Sequence, residues 1–103
     1  MANYLLVYHG GSQPADEAAG KAVMDAWYAW FGRLGEAVVD GGNPTTHTRV
    51  VSADGSVADG GPTSPTGYSV LKAGSLDEAV TLAKGCPHLG AGGMIEVCET
   101  VEM

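Results

Sequence analysis

Positive charge is scarce in this chain. Five lysines and arginines face twelve aspartates and glutamates in 103 residues, a formal net charge of −7. Lys21, Arg33, Arg49, Lys72 and Lys84 form no run, so the clustered cations that a phosphate backbone requires are missing and no nucleic-acid partner is expected. An anionic membrane surface would repel the same chain. Long hydrophobic runs are missing too, since no stretch approaches the ~20 apolar residues of a spanning helix. Met1-Ala2-Asn3-Tyr4 carries no basic segment, and the apolar run that follows is too short for a secretory core. A soluble, cytoplasmic protein is the expectation. Cysteine is limited to Cys86 and Cys98, too few for a disulfide framework, which leaves free thiols as the default.

What is present suits one folded domain spanning residues 1–103. The chain is 45% hydrophobic and 17% charged, enough apolar material for one core and too little for two. Tyr4-Leu5-Leu6-Val7-Tyr8 has no polar alternation and reads as a central strand with something packed on both faces. His9-Gly10-Gly11-Ser12 ends it. Ser12 or a neighbour can cap a helix with Pro14 in its first turn and Asp16 and Glu17 at its positive end. Ala19, Ala22, Val23, Ala26, Trp27, Trp30 and Leu34 recur at helical steps, and Gly35 stops the helix. A short strand over residues 36–40 follows, with Gly41-Gly42-Asn43-Pro44 as a turn.

Residues 45–51 resume an extended reading, and Asp54-Gly55 is a hairpin signal. Residues 57–66 have no periodicity and read as a long loop, a place where function tends to lie. Tyr68-Ser69-Val70-Leu71-Lys72-Ala73 is a strand. Ser75 and Glu78 form a capping box for a helix whose apolar face is Leu76, Ala79, Val80 and Ala83. Lys84 and Gly85 close it, with Gly85 suited to a left-handed conformation, and Pro87 forbids its continuation. Residues 89–93 read as a flexible turn, and residues 94–101 alternate as a strand with one wet face.

This order, strand-helix-strand-strand-helix-strand, predicts an α+β fold: a ferredoxin-like βαββαβ unit with an antiparallel sheet and both helices on one face. The other face would lie bare although the first strand is apolar on both sides, so a homodimer packed sheet on sheet is expected.

Several segments together carry a resemblance to a family. Asp59-Gly60-Gly61-Pro62 precedes a Gly67-Tyr68 strand, Ser75-Leu76-Asp77-Glu78-Ala79 opens the second helix, Cys86-Pro87 follows it, and Ile95-Glu96-Val97 lies in the last strand. With the opening Tyr4-Leu5-Leu6-Val7-Tyr8, the chain resembles the YCII-related (DGPF-domain) family over most of its length. Here Gly61 interrupts the DGPF signature and Thr63 stands where the family has an aromatic residue. The resemblance implies a dimeric α+β barrel of ferredoxin-like protomers. Members include a chlorinated-hydroquinone dehydrochlorinase, and a His–Asp pair has been proposed as an active site. Other members lie beside genes for alternative sigma factors, which implies a stress or regulatory setting.

Candidate chemistry rests on histidine and aspartate. His9 follows the first strand and His88 precedes the last; in the split topology both reach one end of the sheet. Asp40 ends a strand parallel to the first and is expected at that end, and Asp59 in the long loop can close over it. A carboxylate that fixes an imidazole's tautomer makes a general base. The expected function is binding of a small organic molecule, aromatic or lactone-like, with acid–base chemistry by His9, His88, Asp40 and Asp59. The alternative is a non-catalytic dimeric module that binds a ligand or a protein in stress or transcriptional regulation. No cofactor is implied. No pair of ligands has zinc-motif spacing, and neither glycine-rich stretch matches a phosphate-binding loop.

Overall fold

Strand β1 (Ala2–His9) is the axis of the fold. Tyr4, Leu6 and Tyr8 alternate with residues of the opposite face and are all buried. A computed structural model describing residues 1–103 places β1 second from the edge of a four-stranded antiparallel sheet. The strands lie in the order β2 (Val38–Asp40), β5 (Pro65–Ala73), β1, β6 (Met94–Glu99). β3 (Arg49–Val51) and β4 (Val57–Asp59) pair only with each other, in a second sheet. The architecture is α+β and compatible with a ferredoxin-like arrangement into which the β3–β4 hairpin has been inserted.

Both longer helices cover one face. Trp30 of α1 (Glu17–Leu34) and Ala79 and Ala83 of α2 (Leu76–Ala83) join Tyr4, Leu6, Tyr8, Leu71, Ala73 and Cys86 in one core cluster. Trp30 also donates its indole N–H to the Leu82 carbonyl at 3.3 Å, tying α1 to α2. Burying a ring or side chain of this size is worth about 1.5–3 kcal/mol, so this cluster carries the fold.

Several local expectations are corrected. Asp16, not Ser12, caps α1: its carboxylate accepts the Ala19 N–H at 2.8 Å, and Pro14 lies outside the helix. The α1 stripe packs only from Trp27 onward, whereas Ala22, Val23 and Ala26 stay exposed. A 3-10 turn, Gly35–Ala37, takes the start of the second strand. Residues 57–59, expected as loop, form β4, because the Asp54-Gly55 turn folds the chain back onto β3. Ser75 caps α2 as expected, but the Glu78 carboxylate reaches back one residue further, to the Gly74 N–H. Gly85 stays out of the left-handed region; a side chain there would touch the Trp30 indole at 3.4 Å. His88 precedes β6 from within a single helical turn, α3 (Pro87–Gly90).

The molecule measures 44 × 40 × 18 Å, with a radius of gyration of 15.0 Å, against about 13 Å for an ordinary domain of this length. It exposes 6957 Å², roughly 1,500 Å² more than a compact chain of the same mass. No helix is long and apolar enough to cross a membrane.

Candidate functional site

The end of β1 brings two of the four candidate residues together, on opposite sides of the sheet. Register pairs His9 with Met94 and Val7 with Glu96, so these four side chains share the face opposite Tyr8. There His9 Nε2 and Glu96 Oε1 are 2.5 Å apart. The His9 side chain is 12% exposed and that of Glu96 65%. With Glu96 ionised, Nε2 carries the proton and donates it, leaving the lone pair on Nδ1. Nδ1 is buried and has no hydrogen-bond partner.

His88 stands on the helix side. Pro87 opens α3 and aims the imidazole inward, where Nε2–H donates to the His9 carbonyl at 2.9 Å. Its ring lies 5.2 Å from that of Tyr8. A Cβ on Gly11 would come within 2.8 Å of the imidazole, and one on Gly93 would collide with it outright. Those two glycines let the backbone close on the ring. Ser12 N–H adds a bond to the Ala91 carbonyl at 2.9 Å, so the loop after β1 is laced to the turn before β6. His88 is thus a brace between two loops, with one nitrogen committed to backbone.

Asp40 lies elsewhere. Its strand partner is Val70, which in turn pairs with Leu5. Two strand spacings and about four residues put it roughly 16 Å from His9. The expectation that β2 reaches the His9 end fails because β2 pairs only near the middle of β5. Asp40 there accepts the Gly42 N–H at 2.8 Å, a turn role. Asp59 lies in β4 and meets Arg49 at 3.2 Å across the hairpin, both side chains exposed. It does not close over the β1 end. The histidines, Cys86 and Asp40 do not converge: no group of three or more His, Cys, Asp or Glu side chains is placed to hold a metal ion.

Glu96 is the residue that sequence reasoning missed. It appeared only as a polar position of an alternating strand and within the Ile95-Glu96-Val97 segment of the family resemblance, with no chemical role given to it. The signal that could have found it is the β1–β6 register, which sets Glu96 diagonally across from His9.

Two cavities lie away from His9 and His88. An apolar groove of about 280 Å³ runs between α2 and β6, with Leu76, Val80, Leu89, Ile95 and Val97 in its lining and Lys84 beside them. A polar hollow of about 400 Å³ at the root of the hairpin includes His47, Arg49 and Asp59.

Buried polar groups inside the core are satisfied. Tyr8 donates to Ser69 Oγ at 2.8 Å, and Ser69 donates onward to the Gly41 carbonyl at 2.7 Å. Burial raises the Tyr8 phenol well above its ordinary value, with the Ser69 bond opposing. Burial likewise pushes the Cys86 thiol up to about 11, against the lowering effect of the His88 backbone N–H. A thiol so held is not a nucleophile at neutral pH.

No model of a known protein family matches the chain, and no curated protein matches it.

Proposed function

We propose that the chain acts as a homodimeric binding module, two ferredoxin-like protomers closing a dimeric α+β barrel through their bare sheet faces. A small organic molecule or a protein partner is its target, and the resemblance to the YCII-related family points the same way. The observation that carries this reading is the open face itself. Leu5, Val7, Tyr68 and Val70 lie half-exposed there while their neighbours Tyr4, Leu6, Ser69 and Leu71 are buried. Such a patch on a soluble domain marks an interaction surface. The surplus of roughly 1,500 Å² per chain is the size a permanent dimer buries per subunit.

Binding is favoured over catalysis by the state of the two imidazoles. His88 is spent on bracing, and His9 keeps its free nitrogen, Nδ1, out of solvent. A general base must reach the proton it removes. Sedimentation equilibrium on the wild type and on Leu5→Arg tests the reading. A wild-type dimer that Leu5→Arg converts to a folded monomer is expected; a wild type that stays monomeric across the micromolar range overturns it.

One observation favours a second reading, an acid–base enzyme. The Glu96 carboxylate on His9 Nε2 is the arrangement that holds a histidine base in one tautomer. Turnover of aromatic or lactone-like substrates that is abolished by both His9→Ala and Glu96→Gln would support it, and turnover indifferent to both would end it.

A further inference from the structure

The inserted hairpin has no home on its own protomer. Residues 46–64 make all their hydrogen bonds among themselves, and none is buried. The arm is tied to the body at its root, where Thr45 N–H meets the Thr66 carbonyl at 3.0 Å, the Thr45 hydroxyl donates to the Pro65 carbonyl at 2.7 Å and Pro44 pairs with Gly67. A two-stranded hairpin alone in water is marginal at best. This one also leaves Val50, Val51 and Val57 exposed on an arm with no third strand and no helix beneath it.

Its root is nevertheless firmly set. Gly42 has φ +75°, and a Cβ there would run into the Tyr68 carbonyl. The chain therefore leaves β2 in one direction, fixed by backbone against backbone. The arm departs at the end of β5 that pairs with His9. From Thr45 to the Asp54-Gly55 turn it can reach roughly 30 Å, while the protomer is only 18 Å thick. An arm longer than the body is thick, rooted rigidly at the sheet end and carrying exposed Val51 and Val57 as a cross-strand pair beyond a polar root, is built to lie along another molecule.

We propose that the β3–β4 arm is a clasp for a second copy of this chain, folding over the partner protomer with Val51 and Val57, which share one face of the hairpin, as its contacts. The inference rests on the dimer reading above and extends it. Sheet-on-sheet packing covers the open face but leaves both arms unsupported; reciprocal clasping covers them too. A second copy is the occupant because the exposed surplus matches one subunit's share of a permanent dimer, and a two-fold arrangement gives each arm the same seat on the other chain.

Two variants of the full chain test this. In one, residues 46–64 are replaced by an Asn-Gly turn. In the other, Val51→Lys and Val57→Glu keep a favourable cross-strand pair while removing the apolar contact, so hairpin and body both fold. Sedimentation equilibrium is expected to show the wild type as a dimer and each variant associating about 100-fold more weakly. Amide exchange of residues 46–64 in the wild type is expected to be slow at high concentration and to quicken on dilution. If the wild type is a dimer and both variants associate equally tightly, the clasp is wrong and the sheet-face dimer stands. If the wild type is a monomer, both readings fall.

Discussion

The two faces of one sheet are built from the same kinds of residue and meet opposite fates. On the helix side, Tyr4, Leu6 and Tyr8 of β1 pair with Leu71, Ser69 and Gly67 of β5, and every one of them is buried. On the other side, Leu5 and Val7 pair with Val70 and Tyr68, and all four remain half-exposed. The difference is not hydrophobicity. It is whether this chain supplies a lid, and α1 and α2 cover only one side. Apolarity states a demand for burial, while supply depends on what else packs there, including other molecules.

Adjacent residues of β1 offer the largest test of that contrast. Leu6→Ala empties a site that is 0% exposed, and a loss of about 2–5 kcal/mol is expected in urea denaturation, the same at every protein concentration. Leu5→Ala is expected to cost stability in proportion to how much dimer is present, vanishing at high dilution. Equal, concentration-independent losses at both positions would erase the distinction between the faces.

A smaller effect probes the polar link within the covered face. Ser69→Ala leaves the Tyr8 hydroxyl and the Gly41 carbonyl without their shared partner, at an expected cost of about 1–3 kcal/mol. Val70→Ala, next in sequence and on the open side, is expected to act chiefly on dimer affinity, which the concentration dependence of the midpoint separates.

The two cysteines sharpen the comparison through pH. Cys86 lies in the covered core with its thiol raised to about 11 from 9.0, while Cys98 is free and exposed, opposite Leu5. A raised folded-state value means the native state holds its proton after the unfolded chain has released it. This contribution is therefore intact below about 9 and is lost as pH climbs toward about 11. Stability should fall over that window, and Cys86→Ala should flatten the fall; an unchanged slope would remove Cys86 as its cause. Tyr8, raised in the same direction, extends the decline to still higher pH. At pH 8 and high dilution, where the open face is uncovered, a thiol reagent should label Cys98 at least about tenfold faster than Cys86.

The smallest expected effect belongs to the arm's ion pair. Arg49→Ala and Asp59→Asn break a contact between two exposed side chains, and surface pairs contribute little. At high dilution, where no partner covers the arm, no shift in denaturation midpoint is expected, and a clear loss there would mean the pair is covered within the protomer.

Much of the architecture was legible along the chain. Continuous apolarity marked β1 as central, the Ser75–Glu78 pattern located α2, and the strand order followed from the split topology. Local cues failed where competing signals sat close together. Pro14 and Ser12 resembled a helix start, yet Asp16 directly precedes the first helical turn and took the cap. Residues 57–59 lacked periodicity because a three-residue strand is too short to show any. The candidate site was legible only in part. His9 and His88 were traced to one end of the sheet, but their side chains lie on opposite faces. Which carboxylate meets His9 depends on β1–β6 register, a relation between residues 87 positions apart.

By itself the sequence determined the two longer helices, the strands of the main sheet and their order, and the apolarity of both sides of the first strand, because those follow from side-chain chemistry and spacing along a few turns or strands. Only the tertiary structure decided that Glu96 and not Asp40 or Asp59 meets His9, that His88 braces two loops, and that residues 46–64 leave the body as an arm. Those outcomes turn on register and on which surfaces run out of partners. Both are properties of segments brought together, and neither is written in any one of them.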